Sequence, residues 1–544
     1  MFRSTPRRIA GAGAATLAVA ALVAGCAAQP AESTSGDNTD PVTGGELTYL
    51  EYQPHTSLYP PAAGFYPNGG LVNNIADRLT HQDTESLEIE PWIATDWEVN
   101  DDDTEYTFNL RDDVTFSDGT ALDAAAVAKN FDTFGLGNKD LNLTVSEAIN
   151  NYASSEVVDA DTVIFRFSAP APGFLQATST INSGLLSPET LDRKLEDFGA
   201  GSGTEIIGSG PFVISAETIG TDVTLTARED YDWAPPSVEH QGRAYLDTIN
   251  IVVTPEDSVR IGALTSGQAD YVRYVQAFDE AQVEAAGIDI YAPQTRGVNN
   301  SLSIRFTNPL VADLRVRQAL VAGVNAQEIV DTIFTANYPV ATSALSQSAL
   351  GYKDESDSLT FDPDKSEELL DDAGWDLNAD GIREKDGQEL SLDVYVANAQ
   401  PLSKQTLELA SQQLAKIGVT LNVKEADAAS YAADIKDPLK TPLYHSMVGR
   451  ADLDVIKSQY YTKNRNTLLS NDTHLDELLE LVASESDPAV RLERSADVQD
   501  YLAEQAYVIP LFEEPQVYGA APYVKGIEFE SVARPTFYNV WLDK

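Results

Sequence analysis

Apolar and polar residues alternate at several places along this chain and then give way to a spacing of three to four. In the stretch "TFNLRDDVTFSDGTALDAAAVAKNF", preceded by Tyr106, the residues Tyr106, Phe108 and Leu110 share one face, while Thr107 and Asn109 share the other. That is the period of a half-buried strand. Asp112-Asp113 predicts a turn, after which Val114 and Phe116 return as a second strand. Ser117–Thr120 reads as a tight turn in which Gly119 is free to take positive φ. Asp123 then caps a helix whose Val127 and Phe131 lie one turn apart on the buried side. On its own this unit predicts a small α+β layer.

The same periods recur elsewhere. "GELTYLEY" predicts an opening strand over 45–52 and "NNIADRLT" a short helix over 73–80. "GSGPFVISAE" with "VTLTARED" reads as a hairpin, and "YLDTINIVVTP" as a strand. "EDSVRIGALTSGQADYV" predicts a helix, a turn and a strand, and in "DLRVRQALVAGV" Val316, Leu320 and Val324 mark an amphipathic helix. Asn325 and Glu328 stand at capping-box spacing before Ile329 and Ile333. In "FDPDKSEELLDDAGW", Asp362 is the cap, Pro363 the first helical residue and Gly374 the stop. Strands and helices mix without strict βαβ alternation, and no internal repeat is visible. The expected fold class is mixed α/β and α+β, in lobes built from discontinuous segments.

A chain of 544 residues with 43% hydrophobic content requires more than one packed core. Its formal net charge of -49 would repel a phosphate backbone, which argues against a nucleic acid partner. The simplest reading of the charge is a solvated acidic coat.

The N-terminus changes the picture more. Arg3, Arg7 and Arg8 precede an uncharged run from Ile9 to Ala24. That run is shorter than the roughly 20 residues of a membrane span and suits a secretory signal. It ends in Leu22-Val23-Ala24-Gly25-Cys26, and Cys26 is the only cysteine of the chain. The motif resembles the lipobox of bacterial lipoproteins, in which the thiol accepts a diacylglyceryl group. Residues 1–25 are therefore expected to be a lipoprotein signal peptide and Cys26 the lipidation site. Arg7-Arg8 alone does not decide between the general and the twin-arginine export route. Residues 26–44, rich in Ser, Thr, Gly, Pro and Asp, read as a flexible tether. With a lone thiol no disulfide is available, so the body must be held by its core.

Catalytic signatures are not found. There is no His-Glu-x-x-His, no phosphate-binding Gly-x-x-x-x-Gly-Lys and no Gly-x-Ser-x-Gly, and Gly208-Ser209-Gly210 lacks the third glycine of a dinucleotide fingerprint. Of five scattered histidines, His445 beside Tyr444 reads either as structural or as a ligand contact. Asp376, Asn378 and Asp380 fall at positions one, three and five of a calcium-type loop, with Gly381 at six, but position twelve is Gly387. A polar hairpin turn is the favoured reading there, and any calcium would be structural. No cofactor is expected.

Taken in order, these pieces resemble bacterial extracellular solute-binding proteins of family 5, which serve ATP-driven uptake of peptides and nickel. The matching residues are Ala94, Trp97, Tyr106, Phe108, Leu110-Arg111, Val114, Phe116, Asp118-Gly119 and Asp123. Gly208–Phe212, Ser266-Gly267 with Asp270, Arg315–Leu320, and Phe361–Trp375 with Asp380-Gly381 support them. The resemblance implies a two-lobed, periplasmic-binding-protein-like fold of the large three-domain class. Lobe I would comprise 45–79, 204–298 and 510–544, with a small subdomain, 80–203, inserted in it, and lobe II would be 299–509. It further implies that the lobes close over a ligand and present it to ABC permease subunits. The protein would be a monomer held to the outer face of the membrane by its lipid alone.

Peptide-binding relatives seat the ligand ammonium on an aspartate in a Gly-Trp-x-Ala-Asp segment. The aligned residues here are Val448-Gly449-Arg450-Ala451-Asp452. Asp452 keeps the carboxylate, while Gly449 replaces the tryptophan. Arg450 either receives a ligand carboxylate or pairs with Asp452 or Asp454. Phe65 and Tyr66 fall where relatives line the cleft from lobe I, or are ordinary loop aromatics. Three functions follow: a lipid-anchored receptor for di- or oligopeptides, a receptor for another solute such as a nickel chelate, oligosaccharide or opine-like compound, or a surface hydrolase using paired carboxylates. No carboxylate spacing supports the last.

Overall fold

The computed structural model describes Asp40–Lys544. Cys26, the signal segment and all but the end of the expected tether lie outside the described residues. Three sheets organise the body. The first has seven strands: Asp289–Tyr291, Tyr518–Ala520, Tyr271–Arg273, Glu46–Glu51, Thr248–Val253, Asp222–Ala227 and Phe212–Thr218, in that spatial order. Glu46–Glu51 is central and pairs in parallel with both neighbours. It is therefore covered on both faces: Leu47 and Tyr49 belong to one core cluster and Leu50 to another. This is why its residues do not simply alternate between core and solvent.

The second sheet has five strands: Thr420–Lys424, Ser391–Tyr395, Leu443–Gly449, Gly297–Ile304 and Val508–Phe512. All of Gly297–Ile304 is buried. At Gly297 a Cβ would stand 2.2 Å from the Val448 carbonyl oxygen, and φ is +129°, so only glycine fits this close approach of two strands. Chain passes between the two sheets at 292–296 and 513–517.

The third sheet, of four strands, is built from Ala94–Val99, Glu105–Leu110, Thr162–Phe167 and Tyr152–Val157. Tyr106, Phe108 and Leu110 point into its core as their spacing predicts. The ring of Phe174 lies 5.2 Å from Tyr106, 5.5 Å from Phe131, 5.4 Å from Phe165 and 4.7 Å from Phe167, in tilted and edge-on arrangements that favour aromatic packing. Asp123 accepts a hydrogen bond from the Ala126 amide at 2.9 Å and caps the helix Ala124–Leu136. The predicted return strand does not form. Val114 and Phe116 are buried, but Glu105–Leu110 pairs with Ala94–Val99 and Thr162–Phe167, and only an isolated bridge joins Thr115 to Ala121.

The helix expected at 73–80 instead spans Tyr66–Ile75, with Pro67 in its first turn. The capping box at Asn325 is half realised. The Asn325 side chain accepts from the Glu328 amide, but Glu328 turns to Gln413, whose amide oxygen takes the Asn325 N–H. Among the described residues no helix is long and apolar enough to cross a membrane.

Candidate functional site

The calcium-type stretch is a hairpin, Asp376–Leu377 pairing with Arg383–Lys385. Asn378 Oδ1 accepts from the amides of Asp380 and Ile382, both at 3.0 Å, so it serves the turn itself. No group of three or more His, Cys, Asp or Glu side chains among the described residues is placed to hold a metal ion.

The other sequence-selected residues fall in three places. Phe65 and Tyr66 open the helix Tyr66–Ile75 beside the first sheet. The Tyr66 ring lies between the guanidinium groups of Arg273 and Arg534, at 4.6 and 4.5 Å. Its hydroxyl donates to the Val532 carbonyl at 2.5 Å and sits 3.0 Å from the Thr295 hydroxyl.

Arg450 and Asp452 follow the strand Leu443–Gly449, and both are buried. They pair with each other: Arg450 Nε donates to Asp452 Oδ2 at 2.6 Å and Nη2 to Oδ1. Asp454 is held instead by Arg491 at 2.6 Å and by Asn150 at 3.2 Å. Gln176 donates to the Ala451 carbonyl, so residues of the 80–203 segment lie directly against this stretch. A Cβ at Gly449 would stand 2.7 Å from Thr295 Cγ2 and 2.8 Å from Val532 Cγ1. A tryptophan could not occupy this position unless both side chains moved.

His445 lies elsewhere, in the wall of a cavity of about 670 Å³ at the edge of the second sheet. Ser403 Oγ is 2.9 Å from His445 Nδ1, and burial pushes the imidazole down to about 4, so it is neutral at physiological pH. Because Ser403 Oγ already accepts the Ala397 N–H, its own hydrogen is available to Nδ1. In the tautomer that accepts this hydrogen the ring proton sits on Nε2, which has no partner among the described residues. Gln459, in the same wall, also buries its Oε1 without a partner among the described residues.

Arg305, Lys436 and Arg465 line this cavity too. Arg305 is buried, with Nε on the Thr467 carbonyl at 3.0 Å, Nη1 on the Thr441 carbonyl at 3.1 Å, and its guanidinium 4.5 Å from the Tyr444 ring centre. Burial pulls it down to about 10, still charged at neutral pH. Sequence reasoning missed Arg305 and Lys436, which are far apart in the chain and share no motif. The available signal was an arginine directly ending the uncharged, fully buried run Gly297–Ile304.

A second, much smaller cavity of about 30 Å³ lies against the first sheet, with Tyr66, Arg273 and His55 among its lining residues. Arg450 and Asp452 are in the wall of neither cavity.

The family model "Bacterial extracellular solute-binding proteins, family 5 Middle" matches residues 88–464. The chain belongs to this family. Among curated relatives, the glutathione-binding protein GsiB of Salmonella paratyphi A is 24% identical over 444 residues, covering 79% of this chain and 82% of its own. Among solved structures, NikA from Brucella suis, in complex with Fe(III)-EDTA, superposes with a TM-score of 0.78 at 24% identity, covering 92% of this chain and 100% of its own. The oligopeptide-binding protein AppA from Bacillus subtilis, in complex with a nonapeptide, gives 0.76 at 20% identity, covering 93% and 100%.

Membership makes this the solute-binding component of an ABC importer, a binding protein and not an enzyme. It works outside the cytoplasm, takes a small ligand or peptide and acts together with permease subunits. The fold is the mixed α/β, multi-sheet fold of the family.

Proposed function

We propose that this protein is anchored to the membrane through Cys26 and captures peptides by closing two lobes over them. Lobe I comprises 45–79, 204–298 and 510–544, with 80–203 inserted, and lobe II comprises 299–509. The observation that carries the reading is the roughly 670 Å³ cavity, which matches the size of small-molecule sites, is walled by aromatic, amide and cationic side chains of the proposed lobe II, and has in Arg465 a lining residue that meets Glu147 of the inserted segment. Structural relatives in complex with a nonapeptide and with the peptide STSA support a peptide ligand. Hydrogen bonds from Gln176 to Ala451, from Asn150 to Asp454 and from Arg296 to Ser348 run from residues of the proposed lobe I and its insertion to residues of the proposed lobe II, and hinge motion would break them. Ligand energy then biases the lobe equilibrium, because contacts to both lobes exist only when they are together.

For a ligand ammonium Asp452 is the proposed partner; it lies outside the wall of that cavity, where the 80–203 segment meets the stretch after Gly449, so the amine would be held apart from the part of the ligand in the cavity. Arg450 holds both of its oxygens, so an incoming amine must share that carboxylate or displace the guanidinium. The protein acts as a monomer that delivers its ligand to the permease.

Thermal melting of the protein with short peptides tests the ligand class. Peptides raise the melting temperature if they bind the folded state alone. A shift produced by a nickel chelate or a sugar oligomer and by no peptide would overturn the peptide reading. Asp452→Ala abolishes the peptide shift if Asp452 receives the amine, and an unchanged shift rejects that role. Palmitate labelling that survives in Cys26→Ala would reject the anchor.

A further inference from the structure

We propose that the cavity at the second sheet selects a multiply charged anion, a solute with more than one carboxylate, and that Arg305 receives one of those carboxylates. This deepens the peptide reading and rests on that cavity being the ligand site. The charges around the cavity carry the inference. The protein has 85 acidic and 36 basic side chains, yet the described wall of this cavity holds Arg305, Lys436 and Arg465 with no aspartate or glutamate. An acidic protein that keeps carboxylates out of one concave site has concentrated its attraction for anions there.

Arg305 is the centre of the argument. No carboxylate among the described residues lies within ion-pair distance of it, and two backbone carbonyls take only Nε and Nη1. Nη2 has no acceptor among the described residues. A buried guanidinium without a counter-charge is costly, and a carboxylate from the ligand would offset that cost through charge-assisted hydrogen bonds. Tyr444 covers the guanidinium face, which fixes its plane and leaves its edge for the ligand.

His445 Nε2 and Gln459 Oε1 are buried in the same wall without partners among the described residues, so a ligand reaches them only if those side chains turn; the inference rests on Arg305 and the cations beside it. Lys436 is exposed and free of carboxylates among the described residues. Arg465 is half-exposed and shares its charge with Glu147, at 3.2 Å. These two flexible cations suit a second carboxylate held more loosely than the one on Arg305.

Calorimetric titration of the full protein with three probes tests this. The probes are a tripeptide with two acidic side chains, the same tripeptide with those acids converted to amides, and propane-1,2,3-tricarboxylate. The acidic tripeptide is expected to bind about 10- to 100-fold more tightly than the amide form, the range that charge-assisted bonds support. That ratio should fall toward unity in Arg305→Gln and be largely kept in Arg305→Lys. Lys436→Ala, at an exposed position that leaves folding intact, should lower the ratio several-fold. Equal affinity for the acidic and amide tripeptides would overturn the anion inference and leave the peptide reading standing. Binding of the tricarboxylate without binding of either tripeptide would overturn the peptide reading and support the anion inference. Failure of both anionic probes to bind overturns the inference.

Discussion

Two regions bury arginine in opposite ways. In the seam between the first and second sheets, Arg273 is enclosed and answered. Its Nη1 donates to Glu51 at 2.7 Å and its Nε to Gln516 at 3.2 Å, and Gln516 in turn holds Glu514, which also accepts from Asn300 at 2.7 Å. In the cavity of the second sheet, Arg305 is equally buried but meets no carboxylate among the described residues. Burial alone therefore does not distinguish a structural cation from a binding one. What separates them is whether the protein completes the charge itself.

The largest effect should come from breaking the answered pair. Arg273→Met leaves Glu51 buried without its counter-charge and is expected to cost about 3–5 kcal/mol in urea unfolding. Arg305→Met removes a charge that no carboxylate among the described residues balances, so it should cost far less without ligand. Equal losses in the two variants would erase the distinction.

The seam also titrates. Burial raises Glu514 to about 7, against the donors Asn300 and Gln516, which favour its ionised form. Burial likewise raises Asp77 to about 7, despite hydrogen bonds from Trp233 and Tyr231. A carboxyl raised on folding gives stability that is fully present below its unfolded value and is lost as pH rises through the folded value. Stability from these two groups should therefore decline between about pH 4.5 and pH 7. Glu514→Gln should flatten its share, worth up to ~3 kcal/mol at pH 8. Chemical denaturation of both proteins at pH 5 and pH 8 measures this, and parallel losses would show that Glu514 does not titrate there.

How far the sequence reveals this contrast depends on the range of the interactions. Local signals survive folding: Asp123 and Asp362 cap helices, Pro363 opens one and Gly374 ends it with φ +80°, because each acts within a turn of itself. The strand predicted for Val114 and Phe116 fails because their burial comes from packing, with no partner strand beside them. The site was legible only in fragments. His445 stands out in the sequence, but Arg305 joins it from more than a hundred residues upstream, and Lys436 and Gln459 come from either side of its strand with no motif linking them. Whether Arg450 would face Asp452, Asp454 or a ligand could not be decided from spacing. The fold gives Asp454 to Arg491 and leaves Asp452 to Arg450.

A smaller effect separates seam from cavity through Tyr66. Its hydroxyl bonds across to Val532 and Thr295 but lies in neither the Glu51–Arg273 pair nor the large cavity. Tyr66→Phe should cost about 0.5–1.5 kcal/mol of folding stability. Because all three residues fall in the proposed lobe I, small-angle scattering of the ligand-free protein should show an unchanged average radius. A larger radius would mean that the contact also holds the lobes together.

The smallest effect falls where the two regions' rules overlap. Arg465 lines the cavity yet is answered by Glu147, with both side chains 46% exposed. An exposed pair of this kind contributes about 0.2–1 kcal/mol, so Glu147→Gln should hardly alter melting. It should nevertheless release Arg465 toward the cavity and strengthen binding of an acidic tripeptide about two- to threefold, while its amide counterpart is unaffected or slightly weakened. Because the freed charge is solvated, the gain should shrink as salt shortens the screening length to roughly 3 Å near 1 M. A gain shared by both peptides would mean that Glu147 restrains closure and not charge. A gain that persists in high salt would place Arg465 deeper in the site than its exposure implies.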